Sequence, residues 1–122
     1  MADKTIWAGR GLTALATAPF LMGGVMMLTK NPQAVEGLVK YGWPASAVNL
    51  ILTLEMGSLA LYLIPQTAVF GALLLTGYLG GAVATHLRAG ESPAMALIVA
   101  VVAWGGLYLR EPRLRALLPL RR

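Results

Sequence analysis

Apolar residues run through this chain in four long blocks, separated by short polar breaks. The blocks cover approximately Trp7–Thr29, Pro44–Ile64, Gln66–Leu87 and Pro93–Leu109. Each approaches the ~20 residues that a helix needs to cross a hydrocarbon core. The breaks carry their own chemistry. Pro44 and Pro93 suit the first turn of a helix, where no backbone donor is required. Pro65 ends the second block and leaves a turn of two or three residues, so blocks two and three are antiparallel neighbours. Arg88-Ala-Gly-Glu-Ser-Pro93 does the same for blocks three and four, with Gly90 as a helix stop and Ser92 as a cap. The one longer connection, Lys30–Trp43, sets Val35, Leu38, Val39 and Tyr41 among Glu36 and Lys40, the spacing of a short amphipathic surface helix. The pattern predicts a single all-α integral membrane domain over residues 1–122. It is a four-helix transmembrane bundle with a surface helix between spans 1 and 2 and a basic tail over 110–122.

Composition agrees with a bilayer as solvent. Of the 122 residues, 57% are hydrophobic and only 12% charged, outside the range of soluble domains. The net charge of +5 is concentrated beside the spans, so it reads as a topology determinant and not as a nucleic-acid surface. With four spans both termini share a side. That side carries Lys4, Arg10, Arg110, Arg113, Arg115, Arg121 and Arg122, against Lys30, Lys40 and Arg88 on the other. This bias places both termini on the cytoplasmic side, and the expected location is a bacterial cytoplasmic (inner) membrane. The first block is too long for a cleaved leader, and no small-residue cleavage box follows it. Without cysteine and with one histidine, no self-contained metal site is expected. No phosphate loop, Ser–His–Asp set, paired carboxylates or zinc motif occurs, so the chain is expected to act without catalysis of its own.

Glu55 is the only acidic residue within the four blocks, and a carboxyl at that depth marks a functional site by default. At ~1.5 Å per residue, Glu55 lies ~15 Å from the turn at Pro65. Tyr78 on the third block reaches nearly the same height, and Thr17 on the first falls near it. Ser58 and Tyr62 share Glu55's helical face at i+3 and i+7. These five residues form an expected buried polar layer. Arg10 and His86 lie about two turns away on either side, and Arg88 sits at the outer boundary, as secondary polar sites. Two readings of the layer stay open. In one, Glu55 is protonated, bonds Tyr78, Thr17 or a backbone carbonyl, and pins helix register. In the other it holds the polar head of a lipophilic guest or relays a proton. Small residues recur every fourth position at Gly77, Gly81 and Thr85, at Ala14 and Ala18, and at Ala96 and Ala100. This is the pattern of close helix packing, within the chain, in a homo-oligomer or against a second membrane protein.

The chain resembles the DoxX-like family of small four-span membrane proteins. The resemblance rests on Phe20-Leu-Met-Gly-Gly-Val-Met-Met-Leu-Thr-Lys30, Tyr41-Gly-Trp-Pro44 and Leu52-Thr-Leu-Glu55, then on the run from Gly71 to Arg88 with its Gly77-Tyr-Leu-Gly-Gly81, and on Trp104 through Pro119. It implies the four-helix bundle, a patterned glutamate at Glu55, and a quinone-linked redox context. Members often carry a lysine where this chain has Met27. The expected function is a non-catalytic accessory or assembly subunit of a larger membrane redox or energy-converting complex. The alternative is a binding protein for quinone or another lipophilic molecule at the layer around Glu55. Proton or small-ion transfer through Arg10, Glu55 and His86 is the weakest of the three.

Overall fold

The computed structural model describes residues 2–29 and 31–121, with no account of the Ala2 and Asp3 side chains. Lys30 and Arg122, both counted in the charge balance above, lie outside the described residues. The helices are α1 (Ala2–Leu28), α2 (Pro32–Lys40), α3 (Val48–Leu63), α4 (Ala68–Arg88), α5 (Ala94–Arg110) and the single turn α6 (Pro112–Arg115). One-turn 3-10 segments, Ala45–Ala47 and Pro65–Thr67, lead into α3 and α4. No strand forms among the described residues. Three helical stretches are long and apolar enough to cross a membrane: Lys4–Leu28, Ala45–Leu63 and Pro65–Arg88. The fourth, Ala94–Arg110, is apolar but shorter, at 17 residues.

The boundaries follow local chemistry. Asn31 Oδ1 accepts the amide of Gln33 at 2.9 Å to start α2, and Gly42 ends its exit turn at φ +93°. Pro65 opens the tight turn into α4, where the Thr67 hydroxyl donates to the Leu61 carbonyl at 2.7 Å and satisfies one of the orphan acceptors of α3. Gly90, at φ +77°, stops α4 in the left-handed region where glycine is at ease. Ser92 Oγ caps Ala94 at 3.2 Å. At the far end, Arg115 reaches back to the Tyr108 and Leu109 carbonyls, at 3.0 and 2.7 Å, and closes the C-terminus of α5.

The four long helices pack in a ring, α1 on α5, α5 on α4, α4 on α3 and α3 on α1. Gly9 lies against Gly106 and Arg110, so α1 and α5 are antiparallel and the described chain starts and finishes at one end of the ring. The core is built from one stripe per helix: Ala16 and Phe20, Leu59 and Tyr62, Leu75 and Leu79, then Val99, Ala103 and Leu107, closed below by Leu114 of α6. The outward faces are apolar as well, with Met22, Leu97, Ile98 and Val101 exposed. Apolar surface on both sides of a helix is what a lipid-facing helix needs. Between such helices the hydrophobic effect gives little attraction, so close packing and hydrogen bonds must hold them together.

Of the three expected small-residue faces, the one at Ala96 and Ala100 packs within the chain and the other two are open there. Gly77 and Gly81 are exposed, with nothing within 4 Å of where a β-carbon would stand. Ala14 and Ala18 are also exposed within the chain. Ala96 is buried, as expected of a packing face. The tight contacts come from other glycines. A β-carbon on Gly71 would sit 2.1 Å from the backbone nitrogen of Tyr62, one on Gly9 2.7 Å from the Gly106 carbonyl oxygen, and one on Gly106 2.9 Å from the Thr13 amide nitrogen. The reason is geometric. The short turn at Pro65 forces α3 and α4 together within two turns of the proline, so the crossing falls at Gly71 while Gly77 and Gly81 lie beyond it.

Candidate functional site

Glu55 is only 3% exposed, on the inward face of α3 together with Ser58 and Tyr62. The Tyr78 hydroxyl donates to Glu55 Oε2 at 3.1 Å, joining α4 to α3 at the height expected from the helical rise. Phe20 of α1 packs its ring against Tyr78 with centroids 6.2 Å apart. From α1 the residue facing the carboxyl is Gly23: a β-carbon there would stand 3.4 Å from Glu55 Oε1. Its lack of a side chain makes room for the carboxyl.

The rest of the expected layer lies elsewhere. Thr17 donates to the Thr13 carbonyl at 2.7 Å, and Ser58 to that of Leu54 at 2.6 Å. Both hydroxyls are therefore spent on their own helices and neither reaches Glu55. Tyr62, fully buried, donates to the Ala103 carbonyl at 2.6 Å, and the Thr13 hydroxyl meets its oxygen at 3.3 Å. One expected layer is thus two. An upper one joins Glu55 to Tyr78, and a lower one joins Tyr62, Thr13 and Ala103. The displacement of Thr17 has a simple origin. A depth count that starts at Trp7 puts Thr17 level with Glu55, but α1 begins at Ala2 and docks Thr13 beside Tyr62, so Gly23 arrives at that level instead.

A partly open cavity of about 350 Å³ adjoins the upper layer between α2, α3 and α4. Leu38, Ile51 and Leu54 supply apolar walls, Trp43 stands at its side, and Gly77 and Gly81 form a wall of bare backbone. Tyr78 lines it and Glu55 does not, so the carboxyl touches the cavity only through the tyrosine hydroxyl. The other end is rimmed by Tyr41 and His86, whose rings meet edge to face at 5.1 Å. Outside the rim lies Glu91, which the sequence reading left out. The Tyr41 hydroxyl donates to its Oε1, His86 Nδ1 lies 3.5 Å from the same oxygen, and Lys40 Nζ 4.0 Å from Oε2. The hydrogen bond from Tyr41 is the main reason that the Glu91 carboxyl stays below the usual carboxylate range. The same bond holds the Tyr41 phenol above its usual range. The cluster fastens α2 to the α4–α5 turn. Four residues separate His86 from Glu91 across a glycine stop, the one hint of it that sequence carried.

The sequence profile of the DoxX-like family matches residues 11–106, from the third turn of α1 to the last turns of α5. The chain belongs to the DoxX-like family. The match takes in both polar layers and the cavity of this DoxX-like chain. Comparison with curated proteins and with solved structures gave no match. Among the secondary sites, Arg10 is exposed and stacks its guanidinium 4.8 Å above the Trp7 ring. Arg88 is exposed at the end of α4. Neither Arg10 nor Arg88 lines the cavity, whereas His86 does.

Proposed function

We propose that this DoxX-like protein is a four-span bundle of the bacterial cytoplasmic membrane that binds a lipophilic molecule with a compact polar head, of the quinone class, in the cavity beside Tyr78. The single observation that carries this reading is the wall of that cavity. Gly77 and Gly81 pack against nothing and leave backbone facing an apolar space, with the Tyr78–Glu55 pair at one end and His86 at the other. Ligand sites typically enclose ~300–1,000 Å³ of mostly apolar surface with a few polar groups. About 350 Å³ suits a head group whose tail continues into the bilayer. With a guest bound, the Tyr78 hydroxyl turns to donate to a carbonyl of that head, and Glu55 in its protonated form donates to the tyrosine oxygen in turn. As the fourth span, α5 supplies 17 residues, ~26 Å of helix, at the lower end of the crossing range. The basic bias of the sequence puts both termini on the cytoplasmic side.

Trp43 gives the test, because it lines the cavity while Trp7 and Trp104 do not. A short-chain quinone titrated into purified protein is expected to quench part of the tryptophan emission saturably. Trp43→Phe removes that part. Glu55→Gln and Tyr78→Phe each weaken the apparent affinity about tenfold, the worth of about one hydrogen bond in a low-dielectric site. Linear quenching, identical in all variants, would mean bilayer partitioning and end the proposal. The accessory-subunit reading ranks second. It draws on the exposed Leu97, Ile98 and Val101 face of α5, which lipid covers equally well.

A further inference from the structure

A second hollow lies at the opposite end of the ring, where the described chain starts and finishes. This groove, about 430 Å³, runs between α1, α3 and α5 with Arg10 and Arg110 at one end and Ala14, Ala18, Leu21 and Leu63 along its length. The hydroxyls of Thr13 and Thr17, which also border it, are already engaged with Tyr62 and with the Thr13 carbonyl. Polar capacity left over in the groove is therefore the two guanidinium groups. Arg110 is the unusual one. Its stem lies along the bare backbone of Gly9 and its guanidinium carbon stands 5.6 Å from the centre of the Tyr62 ring. Its Nε and Nη2 are buried and have no hydrogen-bond partner among the described residues. Glu111, the adjacent carboxylate, is turned to Arg113, whose amide and Nε it accepts at 3.2 and 3.0 Å. Buried guanidinium donors left unpaired are costly, and a small rotation of the Arg110 side chain toward the groove it lines would bring them to an acceptor there.

We propose that this groove seats one anionic phospholipid, its phosphate bridged by Arg10 and Arg110 and one acyl chain lying on Ala14, Ala18 and Leu21. The fork of a guanidinium matches two phosphate oxygens. The apolar remainder of the groove excludes a bare anion as the whole occupant. From Arg10 to Leu21 is ~16 Å of helix, room for most of an acyl chain. Trp7 and Tyr108, at the same end, are the aromatic residues that favour headgroup depth. Both arginines fall just outside the residues matched by the family profile, so the groove is read from this chain alone. It also stands apart from the quinone-class reading, since it shares no lining residue with the upper cavity.

Native mass spectrometry of the full chain in non-ionic detergent, titrated with phosphatidylglycerol or with phosphatidylcholine of the same chains, tests the assignment. The expected result is one tightly bound phosphatidylglycerol, preferred at least tenfold over phosphatidylcholine. Arg110→Gln and Arg10→Gln bring phosphatidylglycerol to the phosphatidylcholine level, while Arg113→Gln and Arg121→Gln, at the same end, leave the preference intact. Arg10 and Ala18 are exposed, so Arg10→Gln and Ala18→Phe keep the test decisive if Arg110→Gln fails to fold. Ala18→Phe should block both lipids. Equal binding of the two lipids in wild type, or equal losses in the Arg113 and Arg121 controls, overturns the proposal. Displacement of the lipid by millimolar inorganic phosphate also overturns it, in favour of a bare anion site.

Discussion

The two ends of the helix ring use the same residue types to opposite effect. At the lower end, Gly9, Gly71 and Gly106 are filled against neighbouring backbone, and the Tyr62 hydroxyl is bonded to Ala103 and Thr13. At the upper end, Gly77 and Gly81 face a cavity, and Tyr78 is bonded to a carboxyl instead of a backbone carbonyl. A glycine stripe or a buried tyrosine therefore carries no fixed meaning in a membrane helix. In the lower region small residues let helices touch, and in the upper region they keep a space open. What separates the two is the neighbour across the gap, set by the distance of each residue from the nearest tight turn.

The strongest way to break this contrast is to add one methyl group at each end. Gly71→Ala would place a β-carbon 2.1 Å from the Tyr62 nitrogen and 2.4 Å from its α-carbon, atoms that can move only if α3 and α4 separate. Overpacking of this kind costs about 3 kcal/mol, partly offset by the ~1 kcal/mol that alanine gains over glycine in a helix. Gly81→Ala meets nothing and keeps only the gain. Equilibrium unfolding in mixed micelles should show a large loss for Gly71→Ala and none for Gly81→Ala. Quinone quenching should show the reverse order, with Gly81→Ala weakening affinity. Equal stability losses in the two variants would mean that the stripe at Gly77 and Gly81 packs after all.

A smaller effect separates the two tyrosines. Tyr62→Phe leaves the Ala103 carbonyl and the Thr13 hydroxyl without their partner in the core. Interhelical hydrogen bonds in membranes average ~0.6 kcal/mol and reach ~1.7 at most, so a loss of about 1 kcal/mol in the same unfolding assay is expected, with quinone affinity unchanged. Tyr78→Phe leaves the buried Glu55 carboxyl without that partner, so it should cost at least as much stability and carry the affinity loss as well. If Tyr62→Phe weakens quinone affinity while Tyr78→Phe leaves it unchanged, the two layers have been assigned the wrong way round.

How much of this was legible beforehand depends on what sets each feature. The four long helices and the surface helix follow from hydropathy and from Pro44, Pro65, Gly90 and Pro93, which act within a few residues of themselves. The Tyr78–Glu55 bond was legible for the same reason, because one short turn fixes both heights by simple addition along adjacent helices. Thr17 was misplaced because α1 is tied to α3 by no short turn, so its sliding is set by contacts such as Thr13 on Tyr62. Ser58 lies on the face expected of it, but its hydroxyl stays out of the layer, since a serine in a helix can satisfy itself at i−4. The stripe at Gly77 and Gly81 was legible as a small face, but spacing says nothing of what lies opposite, and within this chain nothing does. The surroundings of Glu91 and Arg110 were not legible because their neighbours come from distant segments, Tyr41 in one case and Gly9 and Tyr62 in the other.

The smallest expected effect concerns the rim of the upper cavity, the latch of Tyr41, His86, Glu91 and Lys40. The folded-state pKa of Glu91 is lowered, chiefly by the hydrogen bond from Tyr41. Its contribution is therefore whole above the ordinary carboxylate pKa of ~4.3 and is lost as pH falls through the lower folded value. Tyr41 runs the other way. Its raised pKa means that its contribution is whole below the ordinary ~10 and is lost as pH rises through the higher folded value. The latch should hold α2 across the wide range between, and release it in acid. Hydrogen exchange over residues 34–41, corrected for the intrinsic rate, should show protection falling below about pH 4, while amides around Tyr62 stay protected because no titrating carboxyl bonds that layer. The change should be modest, as both partners are open to solvent and screening. Glu91→Gln should erase the acid step. A wild-type protein without any acid step would show that α2 is held by its half-buried Val35 and Leu38 alone, and that the cavity's rim is as fixed as the packed end below it.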